Sequence, residues 1–128
     1  MDRDKFVEDL MVERAVAKAK DAAAKDGELA RIVMLSSVSA LRPKIEGGAY
    51  AASKIAVSQL TRVMAVECAK DGILVNAVAP GTVDTPMVQN ADTSGNWRPS
   101  GPSPLGRVAD PIDIVRVIRF LLSEDSGY

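Results

Sequence analysis

Tyr50 and Lys54 stand four residues apart in YAASK, inside a stretch free of Gly and Pro. On a helix that spacing puts both side chains on one face, where they can act together. A free phenol ionises near pH ~10, but an ammonium beside it favours the phenolate, as does a helix N-terminus. Such a pair can give and take a proton near neutral pH. By itself it more often decorates a solvated helix face. It matters here because the chain has no His at all, which removes the usual general base and every Ser-His-Asp or Cys-His nucleophile.

The elements that must hold this pair can be read from the hydrophobic pattern. Residues 3 to 25 place Phe6, Leu10, Met11, Val16 and several alanines among charges, with no Gly or Pro, and predict an amphipathic helix ended by Gly27. RIVMLSS then reads as a strand buried on both faces, and Ser36 to Gly48 as a loop. A second long helix is expected from Ala49 to about Lys70, stopped by Asp71 and Gly72, with ILVNAVA as the following strand, ended by Pro80 and Gly81. Residues 82 to 108 carry Pro86, Pro99, Pro102 and Pro104 and read as an ordered loop or flap, with Trp97 as either a lid residue or an apolar anchor. Asp110 and Pro111 open a last helix. Alternating helices and strands imply an α/β chain with right-handed crossovers and a parallel sheet. Two convincing strands are few for such a sheet, whose apolar edges must then be covered by something else.

Composition narrows the function classes. Hydrophobic residues make up 47% of 128 positions, which suits one packed domain over residues 1–128. Sixteen basic residues oppose seventeen acidic ones without blocks of either sign, so neither nucleic acid nor a membrane surface is an expected partner. The lone Cys68 excludes a disulfide framework and a zinc cluster, and no metal is expected. With no leader-like or membrane-spanning run, a cytoplasmic location is expected.

Four runs together resemble successive signatures of the short-chain dehydrogenase/reductase family. They are RIVMLSSVSA, YAASK, VNAVAPGTVDTPM and PLGRVADPIDI, spread over roughly residues 31 to 125. The resemblance implies a partial Rossmann-like, doubly wound parallel sheet, cut at both ends. It implies a catalytic trio of Ser37, Tyr50 and Lys54, with Ser37 thirteen positions before Tyr50 (50 − 37) and Ser36 and Ser39 as bland neighbours. Tyr50 would pass a proton to a carbonyl oxygen, or take it from a hydroxyl, while hydride moves to or from NAD or NADP. Ser37 would hold the substrate oxygen and Lys54 the nicotinamide ribose. Cofactor contacts fall to Tyr50, Lys54, Pro80, Gly81, Val83 and Thr85, and the substrate is a small carbonyl compound or alcohol. A plain turn remains open for Pro80 and Gly81, and for Asn76 a strand amide satisfying a neighbouring loop.

The sequence also departs from that family. It carries no glycine-rich turn ahead of a helix to satisfy a pyrophosphate, no ribose discriminator and no Asn-Ala-Gly motif. NAD and NADP cannot be told apart, and the 128-residue polypeptide is expected to turn over little or not at all. Glu13 either takes the place of the family's catalytic Asn, pairing with Lys54, or is an exposed helix residue. The competing expectation is a non-catalytic module that forms a homo-oligomer, or pairs with a full-length relative, through helices 3–25 and 50–70. A third is an incomplete gene product.

Overall fold

The computed structural model describes residues 3–42, 44–91 and 103–128, and in the first helix its side chains from Val12 to Lys25. That helix, α1, spans Arg3–Asp26 and ends at Gly27, whose φ of 68° is the left-handed conformation that glycine adopts without a side-chain clash. Strand β1 follows at Ala30–Leu35. Helix α2 occupies Gly48–Cys68, one residue earlier than its composition predicts, because Ala51 N–H already donates to the Gly47 carbonyl at 2.8 Å. A 3-10 turn over Ala69–Asp71 and a left-handed Gly72 (φ 70°) then redirect the chain into β2, Ile73–Val78.

β1 and β2 pair in parallel, with Ala30 opposite Ile73 and Leu35 opposite Val78. Strand pleating sends alternate residues to opposite faces. Ala30, Ile32 and Met34 accordingly join Ile73 and Val75 on one face, against Val12, Val16 and Ala19 of α1 and Met64, Ala65 and Cys68 of α2. Ile73, 1% exposed, is the centre of this core. A last long helix, α4 at Pro111–Leu122, also packs on both strands. Between β2 and α4 lies the short α3, Pro86–Gln89, within a stretch whose composition suggests only loop.

The sequence expectation that β1 is buried on both faces does not hold. Its residues are half-buried and Leu35 is 52% exposed, because β1 has β2 on one edge and no neighbour on its other edge among the described residues. The chain exposes 9334 Å² in all. A compact chain of 13.6 kDa exposes roughly 6,600 Å², and apolar side chains form part of the surface here. Leu60, Val63 and Val66 of α2 and Ile112, Val115 and Phe120 of α4 contribute to it.

The start of α4 follows the sequence closely. Asp110 accepts from Ile112 N–H at 3.0 Å, Asp113 accepts from Asp110 N–H at 3.0 Å, and Pro111 takes the first helical turn. Arg107 donates to Asp113 at 2.6 Å and so ties the preceding loop to the helix. That hydrogen bond first, and the Asp110 N–H second, hold the Asp113 carboxyl below the usual carboxylate range. A carboxyl whose folded value is depressed contributes stability above its unfolded value and loses it as pH falls through the folded one.

Two outcomes are expected. Ile73→Ala should cost about 2–5 kcal/mol in chemical denaturation, whereas exposed Leu105→Ala should change little. Acidification below the usual carboxylate range, about pH 4, should loosen residues 107–113, seen as faster amide exchange, and Asp113→Asn should show that loosening at neutral pH.

Candidate functional site

Because the strands are parallel, the segments that leave them emerge at one edge of the sheet, the edge where ligands of α/β sheets sit. The ladder also continues past the strand ends. Ser36 N–H donates to the Val78 carbonyl at 2.8 Å and Val38 N–H to the Pro80 carbonyl at 3.0 Å. Pro80 is thereby fixed beside the residue that follows Ser37.

Ser37 is extended (φ −161°, ψ 154°) and 8% exposed. Its Oγ accepts from Ser39 N–H at 3.1 Å, capping a 3-10 turn over Val38–Ala40. The hydroxyl proton is not used in that bond and can still be donated to a ligand oxygen. The first turns of α2 pack against this 3-10 turn.

Tyr50 and Lys54 lie on one face of α2, with the Lys54 ammonium 5.7 Å from the centre of the Tyr50 ring. The ammonium donates to the Leu35 carbonyl at 3.0 Å, which ties it to the last residue of β1, two before Ser37. Tyr50 is 44% exposed, and its hydroxyl makes no hydrogen bond among the described residues. Its carbonyl accepts from Ser53 Oγ at 2.7 Å.

The remaining sequence-predicted positions divide. Gly81 opens into free space, since a Cβ built there meets nothing within 4 Å, so a ligand could approach its backbone closely. Val83 is bridged to Ala109, and Thr85 precedes α3 as its N-cap; both belong to the turn leading away from Pro80 and Gly81. The structure therefore brings Lys54 and Pro80 to the end of β1 beside Ser37, with Tyr50 one helical turn before Lys54, and sets Val83 and Thr85 further along. Glu13 does not pair with Lys54. It lines a groove between α1 and the C-terminal half of α2, beside Leu60 and Met64. The Asn76 side chain makes no hydrogen bond among the described residues, so it satisfies no neighbouring loop. Trp97 lies outside the described residues.

Sequence reasoning passed over the residues that hold the trio in place. Ser36, read as a bland neighbour, is 4% exposed, and its Oγ donates to the Lys54 carbonyl at 2.9 Å. Ser58 Oγ reaches the same carbonyl at 3.0 Å, and the two hydroxyls are 2.7 Å apart. This knot joins the end of β1 to the second turn of α2. Its one sequence signal is Ser58 four positions after Lys54, on the same helix face.

For a nicotinamide dinucleotide the fit is to one end. An exposed phenol, an ammonium, a turn with open space at Gly81 and a hydroxyl with a spare proton suit the nicotinamide, its ribose and a reacting oxygen. No glycine-rich turn for a pyrophosphate occurs in the sequence. Among the described residues no cluster of His, Cys, Asp or Glu could hold a metal ion, and no helix is long and apolar enough to cross a membrane.

A family model described as Enoyl-(Acyl carrier protein) reductase matches residues 11–128. Oxidoreductase UcpA of Salmonella typhimurium is 42% identical over 115 residues, which cover 81% of this chain and 42% of that protein. The (3R)-3-hydroxyacyl-CoA dehydrogenase of Mus musculus is 37% identical over 110 residues, covering 86% of this chain and 42% of its own. The chain thus spans about two-fifths of the length of these curated relatives. Among solved structures, 4-hydroxyisoleucine dehydrogenase complexed with NADH superposes with a TM-score of 0.70 at 32% identity, over 93% of this chain and 48% of that one. Acetoin dehydrogenase from Enterobacter cloacae superposes with a TM-score of 0.71 at 36% identity, over 91% and 44%.

Ser36→Ala should lower stability by about 1–3 kcal/mol in thermal denaturation, since it removes a buried hydroxyl from a shared network. Ser39→Ala leaves that network intact and should cost less.

Proposed function

Since this chain belongs to the short-chain dehydrogenase/reductase family, we propose that it supplies the proton-transfer half of a nicotinamide-dependent oxidoreductase site, reducing a carbonyl compound or oxidising a secondary alcohol. The observation that supports this reading is the tie of Lys54 to the end of β1 by the Lys54–Leu35 and Ser36–Lys54 hydrogen bonds, with Tyr50 four residues before Lys54 on α2 and Ser37 next to Ser36. In the reductive direction the Ser37 hydroxyl donates to the substrate oxygen and fixes the carbonyl. Tyr50 then gives its proton to that oxygen as the C=O π bond breaks. NAD or NADP, when bound, supplies the hydride that forms the new C–H bond, or accepts it in the reverse direction. Lys54 holds the cofactor ribose, and the turn of Pro80, Gly81, Val83 and Thr85 holds the nicotinamide end.

Named relatives act in the same chemical class as oxidoreductases or dehydrogenases. A cytoplasmic site of action accords with the single, buried, unpaired Cys68. Turnover by the 128-residue chain with NADH or NADPH and a small ketone should be slow, and Tyr50→Phe should lower it roughly 10²–10⁴-fold. Product formation by the Tyr50→Phe variant at the parent rate would remove the phenol from the mechanism.

A second reading concerns assembly and rests on the groove between α1 and α2. Val12, Val16, Leu60, Met64 and Val66 line it, beside charges of both signs from Glu13, Glu67 and Lys70. A surface with both signs around an apolar strip can pair with itself across a two-fold axis, so the occupant we propose is a second copy of the chain. The excess exposed area supplies the driving force. Sedimentation should give twice the mass of one chain, and Val66→Arg should return it to one. A stable parent monomer that unfolds cooperatively would contradict this pairing.

A further inference from the structure

A cleft of about 400 Å³ opens beside Val38 and Ser39, the two residues after Ser37. One wall is the segment after β1, from Val38 to Lys44, and the other is Gly81 and Thr82 with the returning loop from Ser103 to Ala109. Its lining is asymmetric in charge. Among the described residues Arg42 and Lys44 contribute cations, Lys44 with a partner of its own, Ser39, Thr82 and Ser103 contribute hydroxyls, and no carboxylate lines it. Arg107, the cation of the opposite loop, does not compete, because it is paired with Asp113.

Arg42 carries the argument. Its backbone N–H donates to the Val38 carbonyl at 3.0 Å, so its position is set by the turn that begins at Ser37. Its guanidinium makes no ion pair or hydrogen bond among the described residues. A planar fork of donors with no acceptor among the described residues, at the rim of a cleft whose described lining holds no acid group, is suited to a carboxylate. Leu41 and Pro104 leave room between that rim and Gly81 for a short apolar stem.

We infer that the substrate is an oxo acid, or the matching hydroxy acid, whose carboxylate pairs with Arg42 while its carbonyl faces Ser37 and Tyr50. The inference deepens the oxidoreductase reading and rests on it for the fate of the carbonyl. The carboxylate takes no part in the redox change; it orients the molecule and selects it over neutral ketones of the same size.

The probe is acetoacetate against its uncharged methyl ester, titrated into the 128-residue chain while the Arg42 Nε–H resonance is followed by NMR. Because Arg42 is exposed, the pairing is partly screened, and a preference of about tenfold for the acid is expected. Arg42→Glu should abolish the preference, Arg42→Lys should keep part of it, and Tyr50→Phe should keep all of it, because the phenol does not meet the carboxylate. Arg42 is outside the core, so these variants should fold as the parent does. Equal affinities, binding of neither probe up to millimolar concentration, or a preference that survives Arg42→Glu would overturn the inference. The two readings also fail separately. Turnover that depends on Tyr50 but treats acid and ester alike sinks only the oxo acid, whereas an Arg42-dependent preference without any hydride transfer sinks only the oxidoreductase.

Discussion

Parallel pairing of two strands is the constraint on which the rest of this structure depends. Had β1 and β2 run in opposite directions, the segments that leave them would lie at opposite ends of the sheet, and Ser37 and Pro80 could not be neighbours. Running together, with Leu35 opposite Val78, they deliver the turn after each strand to one edge. The crossover between them is α2, and its start returns to the same edge with Tyr50 and Lys54. Four backbone-directed hydrogen bonds then lock the edge: Ser36 to Val78, Val38 to Pro80, Lys54 to Leu35 and Ser36 to Lys54. Positioning here is chiefly the work of backbone carbonyls, with side chains reaching to them.

The same two strands explain what the chain leaves exposed. Among the described residues the sheet has two strands and hence two open edges, and parallel sheets are ordinarily covered on both faces. Here the core is small, centred on Ile73 and Val75, while α2 and α4 present apolar residues outward. The relatives that this chain resembles are more than twice its length, and it aligns with only about two-fifths of each.

Much of this was legible in the sequence for identifiable reasons. Gly27 and Gly72 marked the exits from α1 and from the turn after α2 because the backbone turns left-handed there. Asp110 and Pro111 announced the start of α4 because an N-cap and a first-turn proline are local signals, and the structure adds the returning bond to Asp113. The placement of Tyr50 and Lys54 on one face followed from helical spacing. What escaped was tertiary. Half-burial of β1 depends on which neighbours it has, and an apolar run reads the same whether or not they are present. The bond from Lys54 to Leu35, rather than a pairing with Glu13, depends on the tilt of α2 over β1, which no local pattern encodes. Ser36 looked interchangeable with Ser39 because the two differ only in the carbonyl and hydroxyl across from them.

We propose that this chain binds the nicotinamide end of a dinucleotide and moves the proton that goes with it, with no glycine-rich turn in its sequence to grip the pyrophosphate. The most direct test is a fluorescence titration of the 128-residue chain with NADH and, in parallel, with reduced nicotinamide mononucleotide, which lacks the adenosine half. The account predicts weak and similar affinity for the two, since only their shared half finds partners. Tight binding of NADH alone, a hundredfold or more above the mononucleotide (about 2.7 kcal/mol), would show that the chain grips the whole dinucleotide and would contradict it.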